Sequence, residues 1–245
     1  MDRDVYARMD QLEAHHWWFV GRREIIRTAI ERLIALPQRA AILEAGCGTG
    51  GNLAMLSSLG ELDAFEYDDI ARRRAEEKSD RTLPFGALPD QIPGEDRAYD
   101  LIGLFDVLEH VEADEASLAA LGRRLSADGR LILTVPAYGW LWSKHDERHH
   151  HFRRYTKASL KEVAAAAGMT VERSFYFNSF LFPVVVAVRA LKAVFGHDTP
   201  DDDLPSPVMN RLLSRVFRTE RHLVGTIPMP FGLSLCAVLR RAEAA

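Results

Sequence analysis

Cysteine is scarce, with Cys47 and Cys236 the only two in 245 residues. Two thiols make no disulfide framework, so a reducing, cytoplasmic setting is expected. Neither sign of charge dominates. Thirty-one Lys and Arg face 35 Asp and Glu, for a formal charge of −4. That balance gives no global attraction to nucleic acid, and no basic extension or aromatic–basic platform is visible, so nucleic acid is not expected as a partner. No apolar run reaches the roughly 20 residues of a spanning helix; the strongest, Leu181–Phe195, contains Arg189 and Lys192. Met1–Asp10 is polar and acidic, without the apolar core of a signal peptide. Repeats and low-complexity tracts are absent too. What remains is 47% hydrophobic and 27% charged, the proportions of a soluble globular chain. One domain over 1–245, with an insertion, suits about 100–200 residues per domain.

Apolar spacing predicts helix over 5–36, ending at Pro37. Strands are expected at Ala40–Ala45, Leu62–Tyr67, Tyr99–Leu104, Arg130–Val135, Thr170–Tyr176 and Ser234–Leu239. Helices are expected at 52–59, 70–78, 114–125 and 157–167, the last capped by Thr156 and closed by Gly168. Strands alternating with helices mean a mostly parallel sheet covered on both faces. Residues 178–232 interrupt this rhythm with an apolar helix (181–195), an acidic Pro-rich loop (197–207) and a second helix (208–222). A substrate lid is the expected role for an insertion of that size.

Glu44-Ala45-Gly46-Cys47-Gly48-Thr49-Gly50-Gly51 links the first strand to a helix. Glycines there admit positive φ and close backbone approach, and the helix N-terminus offers unpaired N–H groups. Two patterns fit the same loop. Gly46, Gly48 and Gly51 match the dinucleotide form G-x-G-x-x-G, with Glu66 at the distance of a ribose-binding carboxylate. Gly46, Gly48 and Gly50 match E-x-G-x-G-x-G, whose leading carboxylate suits an ammonium group better than a pyrophosphate. The wider context resembles the class I S-adenosylmethionine-dependent methyltransferases, specifically the type 11 group that includes quinone-biosynthesis enzymes. The residues carrying this resemblance are Ile42–Gly50 (ILEAGCGTG), Ala64–Asp68 (AFEYD), Tyr99–Val111 (YDLIGLFDVLEHV) and Ser126–Pro136 (SADGRLILTVP). These motifs occur in order over residues 40–177.

The resemblance implies a Rossmann-like, doubly wound α/β fold. It would have a mostly parallel seven-stranded sheet, an N-terminal helical cap (1–38), a cofactor-binding core (39–177), the helical insertion (178–232) and a last strand (233–245). It also implies S-adenosyl-L-methionine as cofactor and S-adenosyl-L-homocysteine as product. Gly46, Gly48 and Gly50 would cradle the methionine end, Glu44 would lie near its amino group, and Glu66 would hold the ribose. Tyr67 would lie beside adenine, and Asp106 would approach the methionine moiety. Many relatives place an acidic residue after the third strand; here the segment is Gly86-Ala87-Leu88, so Leu88 and backbone groups would face adenine.

Methyl transfer needs a positioned nucleophile and a route for its proton. His110, four residues beyond Asp106, would face the transfer site. The segment Trp140–Tyr155 holds His145, Asp146, Glu147 and His149–His151, then Arg153, Arg154 and Tyr155. Relatives that begin with His-Trp-Trp-Phe share this arrangement, which implies a substrate-site role. Three readings stand: a proton relay through His145 or one of His149–His151, His150 foremost, with Arg153 and Arg154 anchoring an anion; a metal bound by His145, Asp146, Glu147 and a later His; and a solvated loop. The relay leads, and no metal is expected. Trp17, Trp18 and Phe19 are candidates either for a lid, since aromatic faces favour a sulfonium, or for a staple holding the first helix to the sheet. The 181–195 helix is either buried against the sheet or a membrane-surface or acceptor-channel helix whose Arg189 and Lys192 snorkel. Arg211, Arg215, Arg218 and Arg221 are read as a solvated face. The expected acceptor is a small molecule with an oxygen nucleophile, glycan- or lipid-linked by analogy. A nicotinamide-dependent oxidoreductase and a non-catalytic binding module are the alternatives.

Overall fold

The computed structural model describes residues 3–94, 97–195 and 205–243. The chain begins with helices α1 (Arg3–Leu12) and α2 (Trp17–Leu33). It continues through β1 (Ala40–Ala45), α3 (Leu53–Ser57), β2 (Gly60–Phe65), α4 (Asp69–Ser79), β3 (Tyr99–Phe105), α5 (Asp114–Arg123) and β4 (Leu125–Pro136). Then follow α6 (Lys144–Arg148), α7 (Lys157–Ala166), β5 (Met169–Phe177), α8 (Phe182–Phe195), α9 (Pro207–Thr219) and β6 (Ser234–Arg241). The strands form one sheet in the order β2-β1-β3-β4-β6-β5. β2, β1, β3 and β4 are parallel, and β6 inserts antiparallel to both β4 and β5.

Alternate residues along each strand feed opposite layers, as the period of a strand requires. Leu43, Ile102, Leu131 and Leu133 point into a core with α5 and α7. Ile42, Leu101 and Ile132 point into a second core with Ile25, Ile26, Ala29 and Ile30 of α2. Burial on both faces explains why β1 and β3 are continuous apolar runs.

Helix α9 lies on the same face. Phe217 is fully buried, its ring 5.6 Å from that of Trp17 and stacked on Phe177. Gly21 makes room for it, since a Cβ there would stand 2.4 Å from Phe217 Cδ1. Gly21→Val is therefore expected to destabilise the fold by about 1–3 kcal/mol through overpacking. The shift in urea midpoint measures this, and an unchanged midpoint would mean that α9 is loosely held. Polar ties reinforce the packing. Trp17 N–H donates to Asn210 Oδ1 at 2.9 Å, and Asn210 Nδ2 donates to the carbonyl of His15 at 2.8 Å. Arg218 and Arg221 both pair with Glu24 of α2, the former at 2.5 Å. These two arginines thus bridge helices, where a solvated face is the sequence expectation.

Two other expectations are corrected. The sheet has six strands among the described residues, not seven. The segment after α4 makes only isolated bridges, Glu66 to Phe85 and Ala87 to Gln91. Pro84, Pro89 and Pro93 deprive this edge of the N–H donors that a ladder needs. The 5–36 helix is two helices, because the His16 side chain caps α2 by accepting the Trp18 N–H at 3.3 Å. The side chains of Arg189 and Lys192, and most of the acidic loop from His197, lie outside the described residues. No helix among the described residues is long and apolar enough to cross a membrane.

Candidate active site

The glycine loop leaves the carboxyl end of β1, the edge at which open α/β sheets bind ligands. Gly46, Gly48 and Gly50 have φ of 73°, 55° and 87°. Their reasons differ. A Cβ on Gly46 would meet Val107 Cγ2 at 2.9 Å, and one on Gly50 would meet the Ala75 backbone at 2.9 Å, so these two permit close packing. A Cβ on Gly48 would meet nothing within 4 Å, so this residue faces open space. Glu66, buried at the end of β2, accepts the Gly48 N–H at 2.7 Å on Oε2 and the Asp68 N–H at 2.9 Å on Oε1. Behind the loop, Glu44 accepts Asn52 Nδ2 at 2.8 Å on Oε1. Its Oε2 is buried without a partner.

Burial raises the Glu44 carboxyl to about 8. A cationic group arriving beside it favours the charged form, so ligand binding near pH 7 is expected to release close to one proton. Calorimetry with S-adenosylhomocysteine in buffers of different ionisation enthalpy measures this. Glu44→Gln should remove the buffer dependence, and a dependence that survives the substitution would place the proton elsewhere.

The first helices close one side of the loop. Thr49 Oγ1 donates to Glu13 Oε2 at 2.7 Å, and Lys78 pairs with Glu13 and with Asp10, at 2.5 Å for the latter. Arg22 of α2 reaches Asp106 just beyond β3, in a buried ion pair, and donates to Thr134 Oγ1 at 3.3 Å. Its guanidinium lies 5.1 Å from the Trp18 ring centroid and 5.8 Å from that of Phe105. Asp106 has φ of 53°, which turns its side chain back toward α2. Trp17 packs into Phe217 as a staple, and Trp17, Trp18 and Phe19, the last two in edge contact at 4.9 Å, line the cavity.

The histidine loop is organised by Asp146, which is wholly buried. It accepts two bonds from Arg154, Nε to Oδ1 at 2.7 Å and Nη2 to Oδ2 at 2.9 Å. It also accepts the Ser143 N–H at 2.8 Å and lies 2.9 Å from His151 Nδ1. Burial alone would raise this carboxyl, but His151 and Arg154 override it and hold Asp146 well below the ordinary range. The His151 ring stands edge-on to His110, centroids 4.5 Å apart. Burial, with His151 and His149 beside it, pushes His110 down to about 3. Glu109 is 1% exposed; burial raises its carboxyl, and its Oε2 has no hydrogen-bond partner.

One cavity of about 1260 Å³ joins these parts. Of the residues singled out from sequence, Glu44, Gly46, Gly48, Glu66, Tyr67, Leu88, Asp106, His110, His145, Arg154, Trp18 and Phe19 line it. Tyr67 is 67% exposed, its ring 5.6 Å from Phe85. Others are directed elsewhere. Gly50 packs behind the loop, and His150 is an exposed residue with φ of 55°. Arg153 pairs with Asp114 at 2.5 Å, and the Tyr155 hydroxyl donates to Asp114 at 2.9 Å, so both tie the loop to α5. Sequence reasoning missed Tyr6, Arg22, Glu109 and Asn178, all lining the cavity; it named His151 and Asp146 within the histidine segment without the bond that joins them. For Glu109 the signal was present, since it sits between two noted residues, Asp106 and His110.

A family model described as a methyltransferase domain matches residues 19–174. Proteins from two strains of Mycobacterium tuberculosis, each described as a 'probable S-adenosylmethionine-dependent methyltransferase', are 25% identical over 126 residues, 51% of this chain and 44% of theirs. The match thus spans less than half the length of these relatives. Among solved structures, a Haloferax volcanii methyltransferase in complex with the Trm112 activator superposes with TM-score 0.63 at 18% identity, over 99% of this chain and 96% of that one. A TehB-like S-adenosylmethionine-dependent methyltransferase of Corynebacterium glutamicum gives 0.53 at 22%, over 90% and 87%. At such identities the likeness is one of fold. The family match runs from within α2 through the glycine loop into β5, and on that ground the chain belongs to the methyltransferase-domain family.

Proposed function

We propose that this enzyme methylates an oxygen nucleophile on a small organic acceptor whose body is apolar, as in a lipid-linked intermediate. The observation behind this reading is the cavity itself, which runs from the glycine loop past Glu109, His110 and His151 to a wall of Leu181, Val184, Val185, Val188 and Leu213. Val184 and Val188 are 58% and 43% exposed, an unusual outlay of aliphatic surface on one helical face. The residues of the loop suit the cofactor. Glu44 has a bare buried oxygen for its ammonium group, Gly48 leaves space, and Glu66 keeps lone pairs for ribose hydroxyls. When bound, the cofactor supplies an electrophilic methyl on a sulfonium. Trp18 supplies an aromatic face beside that charge. The Glu109–His110–His151 corner positions the acceptor hydroxyl, whose proton leaves to water. Residues 178–232 serve as the acceptor-selecting wall, and 1–38 as the cap over the loop.

Transfer of labelled methyl from S-adenosylmethionine to alkyl gallates of increasing chain length tests this. Each buried methylene is worth about 0.8 kcal/mol, so KM should fall several-fold over the first few carbons. Val188→Asp should flatten that trend while S-adenosylhomocysteine affinity stays unchanged. Methylation of amines alone, or no dependence on chain length, would overturn the proposal.

A further inference from the structure

We infer that Glu109, His110 and His151 form a binding site for one divalent first-row transition-metal cation, which presents open positions to the acceptor oxygen. One ligand atom from each of the three lies within 4.8 Å of the others. Two imidazoles and a carboxylate are the donor set of the facial triads that hold Mn, Fe, Co or Zn, and they suit those ions better than Mg or Ca. A cation about 2 Å from each ligand draws these atoms to about 3 Å apart, which side-chain rotation supplies.

Independent features point the same way. The Oε2 of Glu109 is buried with no partner, although the residue is 1% exposed. The other carboxylates nearby already have cations, Asp106 with Arg22 and Asp146 with Arg154. No ion pair among the described residues takes Glu109. One imidazole is also fixed from behind. His151 is held through Nδ1 by Asp146, leaving Nε2 as its ligand. A carboxylate behind a ligating histidine is the usual outer support of a metal site. The backbone closes the frame, for Phe152 N–H donates to the Glu109 carbonyl at 2.8 Å and clamps the loop to the turn after β3. These ligands differ from the set that the sequence offers: His145, Asp146 and Glu147 give way to Glu109 and His110, and only the later histidine, His151, is kept.

The cation deepens the proposed function and rests on it for its role. It would bind the acceptor hydroxyl and lower its pKa. The proton leaves to water, the oxygen lone pair forms the O–CH3 bond, and the S–CH3 bonding pair returns to sulfur as the thioether. No oxidation state changes.

The test uses the full chain stripped with chelator and dialysed, then titrated with Co2+ and, separately, Zn2+. One equivalent should bind, with the visible ligand-field bands of a Co2+ site that includes imidazole nitrogen. His151→Ala and Glu109→Gln should each weaken binding at least tenfold, and Asp146→Asn by about 10–100-fold. Thermal melting and S-adenosylhomocysteine affinity identify any variant that has merely unfolded; His110→Ala is the alternative for such a case. Less than a tenth of an equivalent bound by the wild type, or unaltered Co2+ spectra in folded variants, would overturn the site. Methyl transfer to the gallates is scored separately. Transfer that persists undiminished in chelator sinks the metal while the acceptor reading stands. Stoichiometric metal with methyl transfer to amines only sinks the acceptor reading and leaves the site.

Discussion

Gly48→Arg is expected to lose at least a hundredfold in affinity for S-adenosylhomocysteine while the protein remains folded. The asymmetry follows from where the glycine faces. A Cβ at position 48 meets no protein atom within 4 Å, so the added chain grows into the cavity and not into the core. The backbone cost of a non-glycine residue at φ of 55° is about 1 kcal/mol, and Gly48→Ala isolates that term. Arginine adds the volume of the ligand's own site and a cation beside the place that Glu44 reserves for an ammonium group. Gly50→Arg provides the contrast: its Cβ would strike Ala75 at 2.9 Å, so unfolding should precede any specific loss of binding. Calorimetric titration with thermal melts separates the two. Retained affinity in a folded Gly48→Arg protein would remove the loop from the cofactor site.

Asp146→Ala should cost about 3–5 kcal/mol of folding free energy, because it leaves the Arg154 guanidinium 5% exposed without a counter-charge. It also frees His151 and the Ser143 N–H. The pH dependence has a definite sign. Since Asp146 is held below the ordinary carboxylate range, its contribution is complete above the unfolded pKa of about 4 and disappears as pH falls through the lower folded value. Wild type and variant should therefore differ most at neutral pH and converge only in strong acid. Urea unfolding at two pH values measures this. A difference below 1 kcal/mol at pH 7 would mean that water reaches Arg154 in the variant. Turnover should fall as well, through the lost hold on His151, and Asp146→Asn should recover part of the stability but less of the rate.

The parallel core and the cofactor loop were legible because their determinants are local. The apolar runs of β1 and β3, the glycines at 46, 48 and 50, and the Thr156 cap, whose hydroxyl accepts the Ser159 N–H at 3.1 Å, each lie within a few residues of what they specify. The seventh strand, which only the resemblance implied, does not form at the edge after α4 because three prolines remove the donors. The least legible features are pairings across distance. Nothing in the local sequence announces that Arg22 is the partner of Asp106, or that Glu13 accepts from Thr49. The histidine loop shows the same limit from the other side. Its residue types suggest chemistry, but which of them face the cavity depends on Asp114 drawing Arg153 and Tyr155 away and on Asp146 holding His151.

The ties between α2 and the α9 segment have a consequence for how the enzyme comes into being. Trp17 with Asn210 and Glu24 with Arg221 join residues 193 and 197 positions apart. During synthesis the sheet order from β2 through β4 can assemble early, yet the proposed acceptor wall has nothing to lean on until the penultimate stretch leaves the ribosome. Contacts of such long sequence separation form late, after a large loop has been closed. On the proposed function, a nascent chain stalled before α9 would own the glycine loop but no wall for an acceptor, so substrate selectivity would be the last property acquired.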